Sequence, residues 1–135
     1  MLIKIVDDDQ VFVKKIKDIV YDAFKDIFLD YSIECITSNF EAQYFEKGDI
    51  FFLDIDLKEK NGIKIAEEIR ENNSNAIIIF VSAMNDMIFD SLIVQPFYFI
   101  RKDNFDRDMK IACTLIQKYI NKNHKIITFD FNDRK

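Results

Sequence analysis

The chain has 135 residues, 49% of them hydrophobic and 14% aromatic, with 14 Phe and no Trp. That fills one packed domain and is too apolar for a disordered segment. A net charge of −5 argues against a domain that grips nucleic-acid phosphates broadly, and no apolar run approaches the roughly 20 residues of a membrane span.

The first residues lead straight into a strand pattern with no signal peptide, so a cytoplasmic setting is expected. Leu2–Val6 is a short β-rich run ending in Asp7, Asp8 and Asp9. Phe12, Ile16, Ile19, Val20, Ala23, Phe24 and Ile27 then recur at steps of three and four, the stripe of an amphipathic helix with Asp9 as its N-cap. Ser32–Ile36 reads as a second strand. Ser38 and Glu41 match a capping box and predict a short helix stopping near Gly48. Ile50–Asp54 is the third strand, so apolar that it must be covered on both faces. A polar loop follows, closed by Gly62, and Ile63, Ile65, Ala66 and Ile69 mark a third helix. Ala76–Ser82 is a fourth buried strand, and a helix is expected around Asn85–Leu92. Phe97–Ile100 is the fifth strand, and Asp103 is expected to cap a last helix carrying Phe105, Met109, Ala112, Cys113, Ile116 and Ile120. Five strand–helix units in alternation predict an α/β fold, a doubly wound five-stranded parallel sheet with helices on both faces. Cys35 and Cys113 are expected to be buried, reduced thiols, and the single His124 has no partner placed to make it a ligand.

In a parallel sheet the carboxyl ends of the strands share one edge, and that edge is where ligands bind. Here it collects Asp7, Asp8 and Asp9, then Asp54 and Asp56, then Ser82, then Lys102. Crowded carboxylates raise one another's pKa unless a cation is present, and oxygen ligands suit Mg²⁺. With Lys102 as a second positive charge and Ser82 as a donor, the set forms a clamp for a phosphoryl group passed to a carboxylate nucleophile, Asp54.

This pattern resembles the receiver domain of bacterial two-component response regulators. The likeness rests on Val6–Asp9, Phe52–Asp56, Asn61–Gly62, Phe80–Ala83 and Phe99–Lys102 and covers about residues 2 to 122. The resemblance implies Asp54 as the phosphoacceptor, Asp8 as a direct Mg²⁺ ligand, Asp7 acting largely through water, and the backbone carbonyl of Asp56 as a further ligand. It implies Ser82 as the switch hydroxyl, Lys102 as the phosphate contact and Phe99 as the switch aromatic. It also implies a sensor histidine kinase as partner, docking on the first helix, and a homodimer formed on phosphorylation. Self-phosphorylation and autodephosphorylation would be the only chemistry, with no substrate turned over. The chain departs from the usual pattern at Lys58 and Asp103, where receivers usually carry proline, and at Arg101, where an apolar residue is common.

Beyond residue 122 a linker or tail covers 123–135. Within it Lys125–Phe131 alternates as a strand. That strand, with Ile55–Leu57 and Gln95–Tyr98, resembles receivers that precede a LytTR-type DNA-binding domain, so the tail is read as the first strand of a truncated output domain. DNA contact would then come only through the missing part. Other readings are a stand-alone receiver, an interaction module that no longer takes phosphate, and a haloacid-dehalogenase-type phosphatase using Asp54 and Asp56.

Overall fold

A computed structural model describes residues 1–27 and 30–133, with side chains through Asn123 apart from the gap. Five strands, β1 (Leu2–Val6), β2 (Ser32–Ile36), β3 (Ile50–Leu53), β4 (Ile77–Ser82) and β5 (Tyr98–Arg101), form one sheet in the order β2-β1-β3-β4-β5. All four pairings are parallel, as the alternation of strand and helix patterns predicts.

Each central strand sends alternate residues into two cores. Ile50, Phe52, Ile79 and Val81 meet α1 (Gln10–Phe24) and the first turns of α4 (Phe105–Asp133) through Ile16, Val20, Met109 and Ile116. Phe51, Leu53, Ile78 and Phe80 meet α2 (Gly62–Asn72) through Ile65, Ala66 and Ile69. Phe24, Phe51, Phe52 and Phe80 are fully buried, and burying each contributes about 1.5–3 kcal/mol. This double burial is why β3 and β4 read as unbroken apolar runs.

Several local expectations are corrected. The capping-box segment gives only a 3-10 turn, Ala42–Phe45, because Asn39 takes a left-handed φ of 56° and Glu41 N–H bonds back to its carbonyl. The helix around Asn85–Leu92 is broken into a 3-10 turn, a four-residue α3 (Ile88–Ser91) and a second 3-10 turn ending at a left-handed Gln95. Cys35 is exposed, because β2 is an edge strand, whereas Cys113 is buried. The strand read over Lys125–Phe131 is not formed; the backbone continues α4 through Asp133. With no paired strand beside it, that segment satisfies its backbone groups within itself, as a helix does.

Asp9 does cap α1, its side chain accepting from Val11 N–H at 3.0 Å. Phe12 lies beside the buried stripe rather than in it, packing edge-on against Phe105 at 5.4 Å. No described peptide bond is cis. No helix among the described residues is long and apolar enough to cross a membrane.

Candidate functional site

The strand order reverses between β1 and β3, and there the sheet edge opens a cleft. Val6 pairs with Leu53, so the next residues, Asp7 and Asp54, leave the sheet side by side. The backbone enforces this: Asp54 N–H donates to the Val6 carbonyl at 2.9 Å, and Asp7 N–H to the Ile36 carbonyl at 3.1 Å. Behind Asp54 the first turn of α2 presses onto the strand end. A Cβ on Gly62 would lie 1.9 Å from the Asp54 carbonyl oxygen, so only glycine fits.

Asp7, Asp8 and Asp54 each present an oxygen within 4.8 Å of the others. From the far side Lys102, which follows β5, places Nζ 2.9 Å from Asp7 Oδ2 and 3.0 Å from Asp54 Oδ2. The same ammonium lies 4.5 Å from the centre of the Phe12 ring, a cation–π contact. Burial pushes the Asp7 carboxyl up to about 6, against the lowering effect of the Asp9 amide and Lys102. Burial also pulls Lys102 down, but its bond to Asp7 and the charge of Asp54 outweigh this and leave it raised.

Asp7 Oδ2 is met by the Lys102 ammonium at 2.9 Å, whereas the buried Asp8 Oδ2 has no hydrogen-bond partner. Asp8 Oδ2 has only Lys58 at 3.8 Å, on a side chain that is 85% exposed. A buried anionic oxygen left this way costs free energy that a cation would recover, so the donor set fits a hard divalent ion. Asp56 lines the same cleft of about 320 Å³ together with Asp8, Asp9, Asp54, Lys58, Ala83, Met84 and Lys102. It does not face Asp54 as a second acid: it is exposed, and its Oδ1 accepts from Lys58 N–H.

Ser82 and Phe99 stand apart from this group. Ser82 is fully buried at the end of β4, and its Oγ accepts from Met84 N–H at 3.1 Å. Phe99 is half-buried on β5, 6.1 Å from Phe80. Asp103, expected as a cap, instead accepts from Asn85 Nδ2 at 3.2 Å, tying the loop after β4 to the loop after β5.

Sequence reasoning missed Asp108. This carboxylate is buried in the first turn of α4 and accepts from Arg101 N, Arg101 Nε, Arg101 Nη2 and Asn104 Nδ2. The Arg101 hydrogen bonds hold it below the usual carboxylate range, and Asp108 in turn raises Arg101. Arg101 is thereby fixed as the staple of the junction that carries Lys102. The one available signal was an arginine where receivers carry an apolar residue.

Residues 3–124 match the response regulator receiver domain family. The chain is 30% identical over 99 residues to the Sensory transduction protein LytT of Bacillus subtilis, covering 73% of this chain and 40% of that protein. It thus spans 40 to 47% of the length of the curated relatives it matches. Among solved structures, a response regulator receiver domain protein (CheY-like) from Methanospirillum hungatei superposes with a TM-score of 0.70 at 22% identity, over 90% of this chain and 97% of that one. The response regulator TrrA of Thermotoga maritima, solved with Mg²⁺ and BeF, gives 0.60 at 25% identity over 84% and 97%. From the parallel sheet with its acidic switch-point cleft to the match along nearly its whole length, the chain belongs to the response regulator receiver domains.

Proposed function

We propose that this domain is a phosphoryl switch in which Asp54 accepts a phosphoryl group from the phosphohistidine of a sensor histidine kinase. The observation that carries the reading is Lys102, held 3.0 Å from Asp54 Oδ2 and 2.9 Å from Asp7 Oδ2 beside an open acidic cleft. An Asp54 oxygen attacks phosphorus; the new P–O bond forms as the donor's P–N bond breaks, and the imidazole leaves with the bonding pair and takes up a proton. Lys102 then turns from the two carboxylates to the phosphoryl oxygens. The Ser82 hydroxyl accepts from Met84 N–H in this state, so its proton remains available for a phosphoryl oxygen. Attack by water later releases phosphate and restores the carboxylate. The domain therefore modifies itself and turns over no substrate.

Asp7, Asp8, Asp54 and the Asp56 backbone carbonyl would hold Mg²⁺, with Asp7 acting largely through water. The ion would supply positive charge to the phosphoryl oxygens as they gather at Asp54. Ser82 and Phe99 are the switch pair. Their movement biases the face formed by α3, β5 and α4. That face is read as a homodimer contact, and α1 as the kinase dock. Residues 1–122 form the receiver and 123–135 a linker or tail to a LytTR-type DNA-binding output in a cytoplasmic regulator; likeness to LytT supports this.

Intact mass after incubation with acetyl phosphate and Mg²⁺ tests the reading. The wild type gains the mass of one phosphoryl group and Asp54→Asn gains none. Equal uptake by both, or turnover of a generic phosphomonoester, would overturn it.

A further inference from the structure

The acidic cleft carries a second lysine whose backbone is strained toward it. Lys58 has a left-handed φ of 64°, and Glu59 N–H bonds to the Leu57 carbonyl across it at 2.6 Å. A hydrogen bond spanning one residue of positive φ makes the rarer, strained form of γ-turn, and such strain persists only where the surroundings fix it. They do here: Leu57 is buried to 1% exposure, Leu57 N–H bonds to Lys60 O, and Lys58 N–H is held by Asp56 Oδ1 at 3.2 Å. The turn leaves the Lys58 side chain lining the cleft, with Nζ 3.8 Å from Asp8 Oδ2. That oxygen is buried and has no hydrogen-bond partner, and Lys58 is the one cation within ion-pair distance of it among the described residues. Lys102 serves Asp7 and Asp54 instead.

We propose that Lys58 is a tethered competitor for the divalent cation at Asp8, a positioning residue that sets how much metal the site requires. The inference rests on the phosphoryl-switch reading of the cleft. An ammonium and a divalent ion cannot both neutralise Asp8 Oδ2, so metal entry displaces Lys58 into solvent, where its high exposure lets it go. The competition is a surface-type interaction and should be modest and salt-sensitive.

The test is calorimetric binding of Mg²⁺, and of Mn²⁺ as a tighter probe, to the whole chain with no phosphodonor. Lys58→Gln removes the charge and keeps the length. Lys58→Gly removes the charge and relieves the turn. Lys58→Arg keeps the charge. Both neutral variants should bind metal roughly two- to fivefold more tightly at low ionic strength, the gain should shrink in high salt, and Lys58→Arg should match the wild type. Unchanged or weaker binding in Lys58→Gln overturns the proposal while leaving phosphoryl uptake at Asp54 untouched. A gain confined to Lys58→Gly would assign the effect to the turn and also overturn it. Absence of metal binding in every protein would overturn both this proposal and the metal site beneath it.

Discussion

Two neighbouring basic residues, Arg101 and Lys102, serve two buried carboxylate sites in opposite ways. Arg101 belongs to one acid: Asp108 takes three of its N–H groups and a fourth donor from Asn104, and its pKa is lowered. Lys102 is divided between Asp7 and Asp54, and burial leaves Asp7 raised to about 6. The first site is electrostatically complete and holds the fold. The second is incomplete and has free energy to gain from an incoming cation. Burial alone does not make a carboxylate reactive; the count of donors per acid separates a strut from a site.

The largest expected effect breaks the strut. Asp108→Asn removes the charge from a bidentate pair, with Arg101 itself about a third exposed, and should cost about 2 kcal/mol in denaturant unfolding. The pH dependence fixes its sign. Asp108 has a depressed native pKa, so its contribution is present above the ordinary carboxylate value near 3.8 and is lost as pH falls below it. Asp108→Asn should flatten that acid limb. An unchanged acid limb would mean the pair contributes nothing net.

The second prediction has the opposite sign. Asp7 has a raised native pKa, so the unfolded chain loses its proton first and stability falls as pH rises from 3.8 to about 6. In metal-free protein at pH 7–8, Asp7→Asn should therefore stabilise by about 1 kcal/mol. Thermal melts with and without Mg²⁺ check this, since Mg²⁺ should stabilise the wild type more than the variant. Destabilisation by Asp7→Asn without metal would erase the contrast between the two sites.

The smallest effect concerns the aromatic beside Lys102. Phe12→Leu keeps apolar bulk but removes the ring 4.5 Å from Nζ. A loss of about 0.5–1 kcal/mol in affinity for a BeF phosphoryl mimic is expected, with little change in unfolding midpoint. A drop in stability with unchanged mimic affinity would make Phe12 a packing residue only.

The parts of the molecule that were legible in the sequence are those fixed by local pattern. Phe51–Leu53 and Ile77–Val81 announce doubly buried strands, and the carboxyl-end residues of a parallel sheet must share an edge, so the sequence pattern alone brings Asp7, Asp8, Asp54 and Lys102 together. What escaped depends on tertiary partners. Asp108 looks like an ordinary acid in the first turn of a helix until Arg101 folds onto it. Ser38 and Glu41 have the spacing of a cap, but the left-handed Asn39 diverts the chain before a helix can form. The break after β4 carries no proline or glycine before Gln95, so periodicity alone extends a helix through it. Cys35 follows the apolar rhythm of a strand, and only the sheet order shows that β2 is an edge.

Gly62 fixes how Asp54 would respond to the phosphoryl group proposed for it. With a helix turn pressed against its carbonyl and its own amide tied to β1, the Asp54 main chain has neither room to recoil nor slack to follow an added group. A bulky modification on that side chain must push outward, against the loops after β1, β4 and β5. Under the proposed phosphoryl transfer the rigid backing would act as an anvil, turning a bond made at one oxygen into displacement of those loops.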